Sequence, residues 1–398
     1  MFSSPFRSTP PLIVHCHLSW DGVWQRPQQF MSRLSRRRAV LFVETSTFEG
    51  EGNAHFEIET AADFPHVSIL RMRFPAEIWN DRAQNDRERR RLLRQALDGP
   101  LRGRFERPVQ WFYDPMAAPC FLGQLDDRAV IYDCMDELSN FKYAPPELAQ
   151  RERLLLARAD QVFAGGRRLC LSKSRHNAHC HFIGCGVDVA HFGKARLAST
   201  ETPADIAHLK GPILGYFGVV DERLDYELLA QLADARPDWH VVIVGPVAKV
   251  DAAEFPRRDN LHWLGGRSYA QLPSYTRAFD VCLMPFALNE ATAYINPTKA
   301  LEYMASATPI VSTPVPDVVA NFAGAVKIAT DSDEFIAACR AALKTPDQDA
   351  IERGLRLAGA NTWDAIVAGL EGHLNEALLR NHPSPTPAIA ETRRAVMA

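Results

Sequence analysis

Long apolar runs are missing from this sequence. No stretch of its 398 residues approaches the roughly 18 apolar residues that span a bilayer, and the first apolar run, residues 10–14, is too short for a secretory leader and is followed by His15 and His17. Paired cysteine spacing is missing as well. The eight cysteines (Cys16, Cys120, Cys134, Cys170, Cys180, Cys185, Cys282 and Cys339) are scattered, several inside apolar runs, as reduced core thiols are and a disulfide framework is not. These absences predict a cytoplasmic protein. A net charge of only −3 argues against a nucleic-acid partner. No G-x-G-x-x-G follows the first strand of either half, which disfavours a dinucleotide dehydrogenase. No clear Asp-x-Asp signature marks a divalent-ion site, and no internal repeat or coiled-coil period is present.

What is present is a mixed composition, 46% hydrophobic and 23% charged, in a chain too long for one compact core. Two domains are expected. Residues 1–10 read as a flexible lead. Leu12–Cys16 is a short apolar strand, followed by the polar, aromatic loop HLSWDGVWQRPQQ, a helix at 28–34 and a strand at 39–43, a first β–α–β unit. Strands at 109–113, 129–132 and 161–164 alternate with helices at 86–97, 147–159 and 169–179. Residues 194–211, rich in Ser, Thr, Pro and Ala, read as an interdomain linker. A second alternating series begins with strand Ile213–Phe217 and runs through a helix at 297–305 and a strand at 310–311 to a helix at 333–343. Strands separated by helical spacers predict a parallel sheet with right-handed crossovers in each half. A final helix, 363–379, carries Ile366, Leu370 and Leu374 at spacings of four, and the Pro-rich end, 381–398, is expected to be disordered.

Residues 289–313 hold the densest chemistry. Asn296 suits the N-cap of a helix whose first residue is Pro297, since an Asn side chain satisfies an orphan N–H and proline lacks the donor that would be wasted there. The free N–H groups of such a helix, with Lys299 in its first turn, suit a phosphate or carboxylate. Glu302, three residues on, shares a face with Lys299. The bland alternative is a capped helix with a solvated Lys/Glu pair. Gly215-Tyr216-Phe217-Gly218 closes the first strand of this half, Gly245-Pro246 ends the next, and Leu264-Gly265-Gly266-Arg267 ends a third, with Arg267 at the same rim as Lys299.

The ordered series GYFG, VVIVGP, LHWLGGRSYAQLPSYTRAFDVCLMPF and NPTKALEYMASATPIVS resembles the donor-binding domain of GT-B fold glycosyltransferases. HLSWDGVWQRPQQF and VIYDCMDELSNF resemble the acceptor domain of bacterial retaining, group 1 type enzymes of cell-surface polysaccharide assembly. FIGCGVDVAHF resembles their Asn-Gly-Val-Asp segment, with Cys185 where Asn-Gly would be read. The resemblance implies an α/β GT-B fold, two Rossmann-like domains with parallel sheets facing across a cleft. Residues 1–198 would bind the acceptor and 199–362 the nucleotide sugar, and the helix at 363–380 would pack back on the N-terminal domain. It implies transfer of a sugar from a UDP- or GDP-linked donor to a glycan, lipid-linked or small-molecule acceptor, with no tightly bound cofactor. Carried over by motif, Glu302 falls on the carboxylate that binds the ribose hydroxyls, Lys299 and Arg267 on the diphosphate, and Gly218 beside the same phosphates. Asn296, Pro297 and Thr298 belong to the same donor loop. With two cations at the diphosphate, no metal is called for.

The chain departs from the family pattern in three places. Tyr294 stands where the common retaining pattern has a second glutamate, with Glu290 four residues upstream. Val219 replaces the Arg after the GYFG glycine, with Arg223 the nearest substitute, and Ala307 replaces the glycine after the motif helix. On the acceptor side, His17 reads either as a base or orienting donor at the reacting centre, or as polar surface. Asp133 and Asp136 read either as ligands of acceptor hydroxyls or as a helix cap and first-turn acid. Trp20 and Trp24 suit stacking on a sugar. Gln25, Arg26 and Gln28 suit donor contacts, or capping of the first helix.

His176, His179, Cys180, His181 and Cys185 crowd one segment but lack a paired Cys-x-x-Cys knuckle, so a zinc site is disfavoured. Arg82, Arg87, Arg89, Arg90, Arg91, Arg94, Arg102, Arg104 and Arg107 suit an anionic membrane surface, at about 1 kcal/mol per basic residue. Asp86, Glu88, Asp98 and Glu106 dilute that charge, as they would on a solvated face. An epimerase or hydrolase on the same fold, and an inactive donor-binding partner subunit, are the competing functions.

Overall fold

A computed structural model describes residues 9–381. The lead at 1–8 and the Pro-rich tail at 382–398, read above as flexible and disordered, lie outside the described residues. Asn381, placed in that tail, is instead the last residue of the final helix, Trp363–Asn381.

The N-terminal domain is built on nine strands: β1 (Leu12–Cys16), β2 (Val40–Glu44), β3 (Thr47–Phe48), β4 (His55–Thr60), β5 (Val67–Phe74), β6 (Val109–Phe112), β7 (Ala129–Cys134), β8 (Gln161–Ala164) and β9 (Cys180–Phe182). Their order across the sheet is β3-β5-β2-β1-β6-β7-β8-β9, with β4 pairing antiparallel to β5 and the remaining pairs parallel. The C-terminal domain holds β10 (Ile213–Phe217), β11 (His240–Val244), β12 (Leu261–Gly265), β13 (Val281–Met284), β14 (Ile310–Ser312) and β15 (Lys327–Ile328), all parallel, in the order β12-β11-β10-β13-β14-β15. Strands such as LIVHC and VCLM are buried along their whole length because helices cover both faces, which is why they read as unbroken apolar runs and not as alternating ones. In both sheets the strand order reverses beside the first strand of the domain, at β1/β6 and at β10/β13. Such a reversal opens a crevice at the strands' carboxyl ends.

The chain crosses between domains earlier than the composition break at 194–211 suggested. Ile183 and Cys185 pack on the N-terminal core, whereas Val187, Phe192 and Ile206 lie in the C-terminal one, so the polar-looking segment is held down by a few buried apolar residues. The return crossing runs alongside: the Val187 N–H donates to Asn361 O at 2.9 Å, and Val187 bridges Thr362. Gly186 is required there, since a Cβ would stand 2.8 Å from the Trp363 backbone. The final helix then buries Trp363, Leu370, Leu374 and Ala377 among Val14, Phe42 and Trp111 of the N-terminal sheet. Helices Pro316–Phe322 and Gln348–Ala360 have no counterpart in the sequence reading.

Candidate active site

Between the two carboxyl edges lies a cavity of about 240 Å³. The N-terminal domain contributes Trp24, Gln25, Arg26 and Asp136 to its walls, and the C-terminal domain Gly218, Arg223, Tyr269, Lys299 and Glu302. Gly218 closes β10 with φ +144°, a region that favours glycine, and a Cβ there would lie 2.9 Å from Lys299 Cε and 2.8 Å from the Tyr216 hydroxyl. The loop therefore brings bare backbone against the lysine.

The motif helix spans Lys299–Ala305 and begins later than expected. Asn296 is not its cap. Thr298 takes that place, with Leu301 N–H donating to Thr298 O at 3.0 Å. The Asn296 amide instead donates across the domain boundary to Gly165 O at 3.0 Å, a partner 131 positions away that local sequence cannot announce. Pro297 and Thr298 line the cavity beside it.

Lys299 and Glu302 sit half-buried on one face of this helix, and among the described residues neither charged group has a hydrogen-bond or ion-pair partner. The Lys299 ammonium stands 5.2 Å from the Tyr216 ring centre and 5.1 Å from that of Phe286. Burial pushes Lys299 down to about 8, helped by the nearby Arg223 guanidinium and opposed by Glu302. Burial likewise pushes Glu302 up to about 7, opposed by Lys299. A cation and an acceptor, both desolvated and both unsatisfied, form a site that a charged, hydroxyl-bearing ligand would complete.

Other residues fall differently. Arg267 lines the cavity, yet its guanidinium donates to Asp205 at 2.7 Å, Tyr275 Oη at 2.7 Å, Leu264 O at 2.6 Å and Gly266 O at 2.9 Å, which leaves one N–H of five for a ligand. Asp133 does not reach the cleft. It is fully buried and accepts from Arg26 Nε at 2.8 Å, while Arg26 also donates to Ile183 O and Gly184 O at 2.7 and 2.9 Å. Burial pushes this carboxyl up, and Arg26 opposes the shift. The pair joins the first helix, Arg26–Leu34, to β7 and the crossover, a structural task that displaces the expected contact with acceptor hydroxyls.

Asp136, three residues on, does line the cavity, and its carboxylate has no hydrogen-bond partner among the described residues. Burial raises it, against the pull of Arg223 and His17. His17 stands near Asp136 but outside the cavity lining, with its Nδ1 buried and unpaired. Trp24 faces the cavity, whereas Trp20 is buried against Phe42 and Phe64. Gln28 is consumed by Ser19 O and the Gln25 N–H. Tyr294 turns into the N-terminal domain, its ring 5.3 Å from the Arg168 guanidinium, and Glu290 is exposed, so neither lines the cavity.

The His/Cys segment disperses. His181 stacks on His373 with ring centres 3.9 Å apart, Cys180 faces Cys170, and Cys185 reaches the cavity wall. Among the described residues no three His, Cys, Asp or Glu side chains stand together as a metal ion would need. The sequence reading missed Tyr269, Trp363 and Asp221. The first two carry no signal outside tertiary structure, but Asp221, two residues before Arg223, was available as a local carboxylate partner.

Two α/β domains whose strand-order reversals face each other across a cleft define the GT-B fold. Solved structures share it: an alpha,alpha-trehalose-phosphate synthase (UDP-forming) from Burkholderia vietnamiensis, with TM-score 0.70 and 14% identity over 94% of this chain and 99% of that one; and the sucrose-phosphate synthase tll1590 from Thermosynechococcus elongatus, with TM-score 0.68 and 15% identity over 94% and 100%. A trehalose-6-phosphate structure from E. coli, bound with UDP-2-fluoro glucose, has TM-score 0.67 at 13% identity over 92% and 99%. The sequence narrows the class. Residues 211–345 match the family Glycosyl transferases group 1. TuaH of Bacillus subtilis (strain 168), which carries the name of a teichuronic acid biosynthesis glycosyltransferase, is 25% identical over 291 residues, 67% of this chain and 72% of its own.

Proposed function

We propose that the chain moves a sugar from a nucleoside-diphosphate sugar, UDP- or GDP-linked, to a hydroxyl of a glycan, lipid-linked or small-molecule acceptor in surface-polysaccharide assembly. The observation that carries this reading is the unpartnered Lys299–Glu302 pair beneath the bare backbone of Gly218. Glu302 accepts from the ribose hydroxyls. Lys299 and the free edge of Arg223 meet the negative charge that grows on the departing diphosphate. The acceptor O–H bond breaks, its oxygen bonds to the anomeric carbon, and the bond from that carbon to the phosphate oxygen leaves its electron pair on the diphosphate. Asp136 orients the acceptor hydroxyl and, raised by burial, is suited to hold the proton. Domain closure excludes water, so that the sugar is transferred and not hydrolysed.

Retention at the anomeric carbon and independence of metal belong to the same proposal, the first from the family resemblance and the second from the two cations at the diphosphate. A peripheral place on the inner face of the membrane is supported by the exposed Arg82, Arg87, Arg91, Arg94 and Arg102 and by the exposed aromatic pair Phe48 and Trp79, 6.4 Å apart. No helix among the described residues is long and apolar enough to cross a membrane.

Thermal stabilisation by a panel of nucleoside diphosphates and their sugars, with Glu302→Ala as control, tests the donor site. Stabilisation by none of them, or equal stabilisation of the variant, overturns it. Nucleotide released without acceptor identifies a hydrolase or epimerase, and binding without turnover on any glycan or lipid extract identifies an inactive partner. Turnover that survives EDTA supports the metal-independent mechanism.

A further inference from the structure

The loop after Gly218 contains a carboxylate that touches no part of the proposed reaction. Asp221 is 3% exposed. Its Oδ1 accepts from the Arg223 backbone N–H at 3.1 Å and from Arg223 Nε at 2.9 Å, and its Oδ2 accepts from Arg223 Nη2 at 2.6 Å. Its own carbonyl is held by the Tyr226 hydroxyl at 2.9 Å. Arg223 lines the cleft, and its Nη1 has no partner among the described residues. The Phe141 ring of the N-terminal domain stands 5.5 Å from the guanidinium carbon.

We propose that Asp221 is a positioning residue for the donor site: it locks Arg223 by its Nε/Nη2 edge, so that the Nη1 edge is presented to the donor diphosphate beside Lys299. This rests on the sugar-nucleotide reading above. A guanidinium is planar, and a carboxylate that takes Nε and Nη2 dictates where the remaining donors point. Freed from Asp221, the long side chain has another carboxylate within reach of its field, the unpartnered Asp136 of the opposite domain. That pairing would occupy at once the phosphate donor and the acid that faces the acceptor. Asp221 also compensates Arg223 beside a lysine: Arg223 pushes Lys299 down and Asp221 pushes it back up.

The test measures the Kd of UDP or GDP, whichever stabilises the wild-type chain, as a function of pH in the full chain. Asp221→Asn removes the charge and is expected to weaken binding roughly tenfold and to move the alkaline limb of affinity to lower pH. Asp221→Glu keeps the charge but shifts the clamp by one methylene, so affinity falls while the alkaline limb stays. In the Arg223→Gln background, measured at a pH below the alkaline limb, Asp221→Asn is expected to cost no further affinity, because the clamp acts through Arg223. Additive losses in that double variant, or a wild-type Kd in Asp221→Glu, overturn the assignment. Should Asp221→Asn alone fail to fold, Asp221→Glu and the double variant still decide it. A wild-type chain that binds neither nucleotide overturns the donor-site reading itself, whereas wild-type binding with unchanged Asp221 variants overturns only the role of Asp221.

Discussion

The Asp317 carboxylate of the C-terminal domain accepts from the Arg167 backbone N–H of the N-terminal domain at 2.6 Å, and from that of Arg168 at 3.3 Å, capping a helix in the other half of the molecule. That helix, Arg167–Lys173, starts after Gly166, which has no side chain with which to cap it and whose Cβ would stand 2.6 Å from Asp317 Oδ2. The cap of this helix therefore exists only where the two domains meet. Asp317→Ala leaves two backbone donors unpaired and is expected to destabilise the closed form by about 1–3 kcal/mol. Small-angle scattering should show a larger radius of gyration, and Gly166→Ala should reproduce it by pressing on the same carboxylate. A variant as closed as the wild type would show that the cap is incidental.

Lys299 and Glu302 should separate by ligand. Lys299→Met is expected to weaken nucleoside diphosphate and inorganic pyrophosphate alike by about 10–100-fold, the worth of a charge-assisted contact in a desolvated site. Glu302→Ala should weaken the nucleotide but spare pyrophosphate, which has no ribose. Calorimetric titration of both ligands against both variants decides this. Equal sensitivity of pyrophosphate to the two changes would refute the ribose assignment.

The two shifted groups predict a bell-shaped pH dependence of nucleotide affinity. The free ammonium of Lys299 loses its proton as pH rises through about 8, so phosphate binding weakens above that value. Glu302 gains a proton as pH falls through about 7 and loses acceptor capacity for the ribose diol below it. Affinity should peak between the two. Lys299→Arg should flatten the alkaline side, since arginine stays charged.

His15 makes the fold acid-sensitive. It is fully buried between Phe112 and Phe121, bonds Gln110 at 2.9 Å, and is pushed down from 6.5 to about 3 by burial. The unfolded chain takes up this proton near 6.5 and the folded chain only near 3, so stability is complete above 6.5 and is lost as pH falls, at about 1.4 kcal/mol per pH unit within that window. Urea unfolding at pH 7 and pH 5 should show the loss, and a His15→Phe variant, if folded, should show less of it.

Much of this architecture was legible in local pattern. Leu12–Cys16, Gln161–Ala164, Ile213–Phe217, His240–Val244 and Val281–Met284 are apolar runs bounded by polar turns, and each forms a strand with those bounds. Lys299 and Glu302 were legible as a pair because a helix places residues three apart on one face whatever surrounds it. Periodicity and spacing act over a few residues and need no partner elsewhere. The fate of the other polar groups does. Asn296 is drawn to Gly165, Asp133 is claimed by Arg26 107 positions away, Arg267 is held by Asp205 62 positions away, and Tyr294 is taken into the opposite domain. The sequence by itself determined the two sheets and the helix that carries the lysine and glutamate. Only the tertiary structure decided which charges remain free in the cleft, because a buried polar group pairs with whatever the fold brings within reach, and what is left unpaired is what a ligand can use.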